Sequence, residues 1–199
     1  MLVNWPERVF CNSVARRFIL KRQLGSLKAM SGLGPGARCL EIGCGNGNGA
    51  LHALRAFEPA QYHAIDLDPD MLRLAAAKAR NEQRLCLLRG DAQALPFRDA
   101  SFDAVFNLGI IHHLEDWRRG LAEVSRVLVP GGLFLFEEIY PALYAAPILR
   151  DVLAHPRGDR FDGREFRREL ALQALALQPG YRESRFTILG VARKAHSVS

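Results

Sequence analysis

A glycine-rich segment carries the clearest chemistry in this sequence. Residues 39–50 read CLEIGCGNGNGA, in which an apolar run stops at Glu41 and glycines follow at positions 43, 45, 47 and 49. Glycines between a strand and a helix let backbone N–H groups come close to a ligand, because no Cβ stands in the way. The segment therefore predicts a loop that holds the part of a nucleotide cofactor nearest the backbone.

Two classes of cofactor fit such a loop. The letters GNGNGA from Gly45 satisfy the G-x-G-x-x-A pattern of nicotinamide dinucleotide sites, and Asp66 lies 21 residues after Gly45, where an acid accepts bonds from ribose hydroxyls. S-adenosylmethionine sites use the same backbone arrangement. Glu41 favours the second class, because a carboxylate would repel a pyrophosphate but suits a sulfonium and an ammonium group.

Titratable side chains follow two of the later apolar runs. His112 and His113 come after FDAVFNLGII, and Glu138 lies near the end of LFLFEEI. An imidazole can accept a proton near pH 7, and Glu138 is a second candidate base. Glu137 should face the other way, because strand side chains alternate. We therefore predict His112, His113 and Glu138 as catalytic candidates, beside the structural alternative that one histidine holds the loop and the other is solvated.

Alternating strand and helix patterns position these residues. Five apolar, strand-like runs predict a parallel sheet that is covered by helices on both faces, with ligands at the carboxyl ends of the strands. Helices are expected around 49–57, from Asp68 and Pro69 through MLRLAAAKARNEQ, and over roughly 115–128, where PGG ends the helix. The runs are RCLEIG, QYHAIDLD, RLCLLRGD, FDAVFNLGII and LFLFEEI.

The two ends of the sequence frame this core. Asn4 and Glu7 open a basic arm in which Phe10, Val14 and Phe18 recur at helical spacing, followed by leucines at 20, 24 and 27. Asp162 and Glu165 form a second capping box, for a helix through FRRELALQAL, and YRESRFTILGVARKA predicts two short strands. We predict a single domain over 1–199, with a basic helical cap (1–31), a cofactor-binding core (37–139), a lid (140–161), and a helix with closing strands (162–199).

Four ordered motifs carry a resemblance to a known family. They are the glycine segment, GDAQALPF at 90–97, FDAVFNLGIIHHL, and EVSRVLVPGGLF. With them, residues 37–137 resemble the class I S-adenosylmethionine-dependent methyltransferases, in the ubiquinone/menaquinone-methyltransferase-like (type 11) group. The resemblance implies a Rossmann-like α/β fold with a mostly parallel seven-stranded sheet and a terminal antiparallel hairpin strand. It also implies methyl transfer from S-adenosyl-L-methionine, which leaves S-adenosyl-L-homocysteine.

The resemblance further implies a cofactor site along four strand ends. The glycine loop would hold the methionine part, the second strand end the ribose and adenine, and the third and fourth ends the adenine ring and the methionyl ammonium. The implied residues are Glu41, Gly43, Cys44, Gly45 and Gly47 for the methionine part, Asp66, Leu67 and Met71 for ribose and adenine, Asp91 and Ala92 for the adenine ring, and the Asn107 backbone for the ammonium.

Missing motifs narrow the acceptor. The sequence has Asn107-Leu-Gly-Ile110 where amino-nucleobase methyltransferases carry N/D-P-P-aromatic, no cysteine is followed by proline, and no lysine lies near the fourth strand end. These absences argue against a nucleic-acid acceptor, and no metal is expected. We predict a small-molecule or lipid-like acceptor, methylated at an O, C or N atom. The candidate acceptor contacts are Tyr140, Tyr144, His155 and Arg157, which would suit an anionic amphiphile.

Composition and charge set the remaining bounds. The 199 residues are 49% hydrophobic and contain four cysteines in no C-x-x-C pair, which predicts one buried core without disulfides or zinc. No apolar run predicts a signal peptide or membrane span, so we expect a soluble, cytoplasmic protein. Residues 1–38, 39–149 and 150–199 carry charges of +6, −4 and +4. Basic ends leave open a peripheral membrane contact, and two other functions stay as alternatives: a binding module without catalysis and an NAD(P)-dependent reductase.

Overall fold

An eight-stranded sheet forms the centre of the computed structural model, which describes residues 13–144 and 160–196. Seven strands lie in the order β3-β2-β1-β4-β5-β8-β6, and β7 pairs with β8 beside them. Neighbours among β1 to β5 are parallel, whereas β8 runs antiparallel to β5 and β6. The strands are β1 Arg38–Ile42, β2 Gln61–Asp66, β3 Leu85–Arg89, β4 Phe102–Leu108, β5 Leu128–Ile139, β6 Leu175–Leu177, β7 Arg182–Glu183 and β8 Thr187–Lys194. The predicted fold is confirmed, with one short strand more than expected.

Helices cover both faces of this sheet. Local side chains fix where several of them start: Asp68 caps α3 with proline at its first position, and Asp162 and Glu165 form the predicted capping box of α6. The helices are α1 Val14–Ser31, α2 Asn48–Phe57, α3 Pro69–Lys78, α4 Trp117–Val127, α5 Pro141–Tyr144 and α6 Gly163–Leu172, with a 3₁₀ turn at Ile111–His113. In the part of the chain that the structure describes, no helix is both long and apolar enough to cross a membrane.

The sheet separates two apolar layers. One layer contains the inner faces of α1 and α2, and the other contains α4 and α6. Strand β5 contributes to both, because Leu133 and Leu135 face the first layer while Phe134 and Phe136 face the second. The alternation continues to the end of β5. Glu137 and Glu138 therefore belong to opposite faces, as predicted.

The N-terminal helix packs on the sheet through its leucines. Its leucines at positions 20, 24 and 27 are buried, while Val14 is 78% and Phe18 60% exposed. Of the two apolar sets that the sequence places on this arm, the leucines form the packing face, whereas Val14 and Phe18 face outward. The leucines recur at i, i+4 and i+7, so they lie on one side of the helix, and this side packs. Asn4, Glu7 and Phe10 lie outside the described residues.

Three predicted element boundaries are wrong: the end of α3, the start of β5 and the end of α6. Helix α3 ends at Lys78 and does not continue through RNEQ. Helix α4 ends at Val127, and PGG lies within β5, where the pairing shifts from Phe102 with Leu128 to Ala104 with Leu133. Helix α6 ends at Leu172, because Ala174 adopts a positive φ and the following residues pair with β8 as β6. Pairing with the sheet overrides local helix propensity there.

Candidate functional site

One cleft opens at the carboxyl ends of β1, β2 and β4. This is the edge at which parallel α/β sheets bind ligands. Ten of the predicted residues line it: Glu41, Gly43, Cys44, Gly45, Asp66, Leu67, Met71, Asp91, Ala92 and His113. The residues that the resemblance implies for the cofactor therefore lie together in space, except for Gly47 and Asn107, which do not line the cleft.

Left-handed glycines shape the loop that borders the cleft. Gly43 has φ +65° and Gly45 has φ +52°, a region that side chains other than glycine rarely adopt. A Cβ on Gly43 would collide with the Ile110 side chain, whereas one on Gly45 would meet no atom within 4 Å. Gly43 is therefore needed for packing, while Gly45 leaves its surface open to a ligand. Gly47, also left-handed at φ +78°, is the residue before α2.

Glu41 is buried at the base of the cleft. Its Oε2 accepts a hydrogen bond from the Tyr62 hydroxyl at 3.1 Å, and its Oε1 lies against Gly49. Burial is the main cause that raises the pKa of Glu41 to about 8, although the Tyr62 bond and the Arg16 charge oppose it. The group is therefore largely protonated at neutral pH before a cation approaches it.

Asp66 connects the glycine loop to the start of α3. Its Oδ2 accepts from the Gly45 N–H at 2.7 Å, and its Oδ1 accepts from the Asp68 N–H at 2.8 Å. Burial raises the pKa of Asp66, while these backbone donors lower it. Each carboxylate oxygen keeps a further lone pair, so the residue can also accept bonds from two vicinal hydroxyls in the cleft.

The opposite wall of the cleft is less polar. Met71 is buried, and Leu67 is partly exposed at the rim. Asp91 accepts from the Gln93 backbone N–H at 2.8 Å, and Ala92 is buried beside it. These side chains give this wall apolar surfaces with a carboxylate at one end. Such a lining is typical of sites for flat apolar groups with polar edges.

A buried polar network lies directly behind the cleft. Glu138 is fully buried; its Oε1 accepts from Asn107 Nδ2 and from the Ile111 N–H, both at 2.7 Å. Its Oε2 lies 2.5 Å from Nδ1 of His112. Burial raises the pKa of Glu138 to about 7 and lowers that of His112 to about 3, which keeps the imidazole neutral. Glu138 thus contacts Asn107 near the end of β4 and two residues of the loop that follows it.

The two predicted histidines occupy different places. His113 lines the cleft, whereas His112 is buried behind it. Their rings lie 4.2 Å apart between centroids, so the cleft histidine packs on the one that Glu138 holds. Asn107 directs its amide into the network, and its predicted backbone contact to an ammonium group stays a prediction.

Arg16 is the main residue that sequence reasoning missed. It lines the cleft from α1, where its Nη2 donates to the Leu108 carbonyl at 2.8 Å and lies 3.8 Å from Glu137 Oε2. Among the cleft residues in the described part of the chain, it is the sole lysine or arginine. A signal was present, since Arg16 precedes Leu20 by four residues and so shares the buried face.

The predicted acceptor contacts are not assembled in the described cleft. Tyr140 is packed in the core, where its hydroxyl donates to Glu183 at 2.9 Å. It therefore does not line the cleft. Only the backbone of Tyr144 is described, and His155 and Arg157 lie outside the described residues. Within residues 13–144 and 160–196, no three His, Cys, Asp or Glu side chains are grouped as metal ligands.

Comparison with known proteins finds methyltransferases. Residues 40–136 match the model of a family described as methyltransferase domain. A fatty-acid O-methyltransferase from Mycolicibacterium smegmatis is 43% identical over 106 residues, which are 53% of this chain and 38% of that protein. A phthiotriol/phenolphthiotriol dimycocerosates methyltransferase from Mycobacterium tuberculosis is 40% identical over 121 residues, 61% of this chain and 44% of that protein. The match spans less than half the length of these relatives.

The fold is also found among solved structures. The crystal structure of the [4+2]-cyclase SpnF superposes with a TM-score of 0.74 at 21% identity, over 89% of this chain and 82% of that chain. At this identity the similarity concerns the fold alone. The similarity of fold covers more of the chain than the residues 40–136 that the family model matches.

Proposed function

Residues 40–136 form a methyltransferase domain of the class I, S-adenosylmethionine-dependent kind, and on this premise we propose that the protein methylates a lipid-like or other small acceptor. The observation that carries the proposal is the cleft itself. Two carboxyl groups, Glu41 and Asp66, and one guanidinium, Arg16, converge there around a glycine loop that is open to a ligand.

The cleft residues fit the parts of S-adenosylmethionine. Asp66 would accept bonds from the ribose hydroxyls, and Leu67 and Met71 would pack on the adenine, beside Asp91 and Ala92. Glu41 would face the positive end of the methionine part. Arg16 would bind the methionyl carboxylate, because it is the basic side chain on that side of the cleft. Its hydrogen bond to the Leu108 carbonyl holds the guanidinium in place. A cation beside Glu41 favours its ionised form, whereas the pyrophosphate of a dinucleotide would oppose that ionisation, and this difference supports S-adenosylmethionine as the cofactor.

The protein's own groups would position the reaction. S-adenosylmethionine supplies an activated methyl group, so the chain has to orient the acceptor, exclude water and accept a proton where one is released. His113 is the proton acceptor that the cleft contains, and Glu138 acts through His112, whose ring supports that of His113. Glu138 is therefore a positioning residue, because it does not reach the cleft surface.

The identity of the acceptor decides how much His113 matters. A carboxylate acceptor, as the name of the M. smegmatis relative indicates for that protein, is already ionised and needs no base. A hydroxyl acceptor must lose a proton. We expect His113→Ala to lower kcat less than about tenfold for a fatty acid, and about 100-fold or more for an alcohol. Steady-state kinetics with both acceptor types measures this, and equal losses for both would contradict the base role.

Cofactor affinity should depend on pH through Glu41. The pKa of this group is raised to about 8 in the free protein, and a cationic cofactor favours the ionised form. Binding therefore requires release of a proton below pH 8, and affinity should rise by up to about tenfold per pH unit until it levels off near pH 8. Isothermal titration calorimetry across this range measures the slope.

Glu41→Gln is the matched variant, since glutamine keeps the size of the side chain and an acceptor for the Tyr62 hydroxyl. Above pH 8, Glu41→Gln should bind S-adenosylmethionine more weakly than the wild type does. The pH profile of its affinity should show only the titration of the cofactor's own groups. A wild-type profile that runs parallel to that of Glu41→Gln would show that Glu41 does not select the cation.

The central experiment separates binding from turnover. Calorimetry should show binding of S-adenosylmethionine and S-adenosylhomocysteine, and methyl-labelled cofactor should label molecules in a lipid extract. Well-folded protein that binds neither cofactor form would overturn the proposal, and NADH binding that S-adenosylhomocysteine does not displace would favour a reductase. Cofactor binding without transfer to any acceptor would favour a second function, because the same fold occurs in a [4+2]-cyclase.

A further inference from the structure

The two basic ends of the sequence meet on one face of the fold. Helix α1 carries five lysines and arginines and no acid, and the β7–β8 hairpin adds Arg182 and Arg185. The hairpin lies beside α1, where Nη1 of Arg182 donates to the Ser26 hydroxyl at 3.4 Å. We call the exposed side of α1 together with this hairpin the basic face. The sequence separates these charges by about 150 positions, and the fold joins them.

Exposed apolar side chains are interleaved with the charges on the basic face. Phe18 on α1 is 60% exposed and Phe186 on the hairpin 42%. Each ring lies under a guanidinium: the Cζ atom of Arg22 is 5.9 Å from the centroid of Phe18, and that of Arg185 is 5.6 Å from the centroid of Phe186. Against a lipid surface, an arginine in this arrangement places its charge at the level of the headgroups, and the aromatic ring contacts the apolar region below them.

The acids near this face are engaged elsewhere. Glu183 accepts from the Tyr140 hydroxyl and pairs with Arg167, and Glu137 is buried beneath α1 near Arg16. Neither carboxylate pairs with Arg17, Lys21 or Arg22 on the outer side of α1. The charge complement of the basic face is therefore an extended anionic surface rather than another part of the described chain.

A groove of about 390 Å³ runs between the two halves of the basic face. Ile19 and Arg22 line it from α1, Ser184 and Thr187 line it from the hairpin, and Glu137 lies at its base. A Cβ on Gly109 would be 3.1 Å from Glu137 Oε2, and Gly109 itself lines the cofactor cleft. The groove and the cofactor cleft thus approach each other at Glu137 and Gly109.

We infer that the basic face docks on an anionic lipid membrane surface, with the groove opening toward the headgroups. Charge alone would also fit a nucleic acid. Val14 and Ile19 favour a bilayer, because aliphatic side chains gain little from phosphates and bases but insert at the boundary of the acyl chains. The docking gives a lipid-like acceptor a short path to the cleft, and this part rests on the function proposed above. The docking on a membrane surface does not depend on that function.

Co-sedimentation of the full chain with lipid vesicles tests the inference without cofactor or turnover. We expect binding to vesicles of phosphatidylcholine with about 30% phosphatidylglycerol, and at least about tenfold weaker binding to phosphatidylcholine alone. Lys21→Glu with Arg22→Glu should weaken binding to the anionic vesicles by at least about tenfold. Phe18→Ser with Phe186→Ser should weaken it several-fold at unchanged charge.

The control changes the same kinds of residue on the opposite side of the sheet. Arg168 and Leu172 are exposed on α6, which packs in the other apolar layer, and Arg168→Glu with Leu172→Ser should leave vesicle binding unchanged. The inference would be overturned if the control lost vesicle binding equally or if the wild type did not bind anionic vesicles. Binding to RNA but not to vesicles would overturn it too. Calorimetry with S-adenosylmethionine on the same samples reports separately on the proposed function.

Discussion

Replacing Glu138 by alanine is expected to lower the free energy of unfolding by about 3 to 5 kcal/mol. The alanine would leave Asn107 Nδ2, the Ile111 N–H and His112 Nδ1 without their shared partner in a fully buried position. Each unsatisfied buried group costs about 1 to 3 kcal/mol, and a cavity adds to the loss. Among the substitutions that the structure suggests, this one should destabilise most.

Urea unfolding followed by circular dichroism measures this loss. Glu115→Ala is the matched control, because Glu115 is exposed just before α4 and its removal should change stability by no more than about 0.5 kcal/mol. Glu138→Gln keeps an acceptor for Asn107 and Ile111, so its loss should be smaller than that of the alanine variant. Similar stability of Glu138→Ala and Glu115→Ala would show that the network does not stabilise the fold.

The stabilising effect of Glu138 should also depend on pH. Its pKa is raised from the ordinary value to about 7 in the folded protein, so the native state retains a proton that the unfolded chain has lost. Stability from this group is full below about pH 4 and is lost as the pH rises through about 7. The difference in unfolding free energy between wild type and Glu138→Ala should thus be larger at pH 5 than at pH 8.

Replacing Asp66 by alanine is expected to weaken binding of S-adenosylmethionine by about 1 to 3 kcal/mol, or roughly 5- to 150-fold. Two effects combine in this loss. The ribose hydroxyls would lose charged hydrogen bonds, and the N–H groups of Gly45 and Asp68 would lose the acceptor that holds the loop against α3. Calorimetry measures the dissociation constant, and a thermal melt shows whether the free protein stays folded.

A neighbouring aspartate provides the control. Asp70 is exposed in the first turn of α3 and pairs with Arg73, so Asp70→Ala removes the same kind of side chain from the surface of that helix, two residues after the cap Asp68. Asp70→Ala should change cofactor affinity less than about twofold. If Asp66→Ala bound the cofactor as tightly as Asp70→Ala, the placement of the ribose at Asp66 would be wrong.

Fold and reaction need separate tests in this protein. The sheet order and the family match identify the domain, but a structure with the same fold is a [4+2]-cyclase, and the curated relatives are more than twice as long as the part that matches. The acceptor side of the site therefore has to be established by experiment. His113 and the basic face are the two features on which those experiments can act.

The sequence by itself determined the parts of the site that depend on near neighbours. Glycines before a helix, the acid that ends β2, the capping box at Asp162, and the alternation that separates Glu137 from Glu138 all follow from turn chemistry and strand geometry. These rules act over a few residues, so their outcome can be predicted from the sequence alone. The start of β5 and the end of α6 were predicted wrongly, because pairing with the distant strands β4 and β8 decides them.

Only the tertiary structure showed which distant groups meet. Arg16 reaches the Leu108 carbonyl 92 residues away, and Glu138 reaches His112 26 residues away. The hairpin that brings Arg182 beside Ser26 joins the two basic ends. No local pattern encodes such contacts, because they depend on the order of strands in the sheet and on the side of the sheet that each helix covers. That order is set by the burial of the whole apolar core, to which every element contributes.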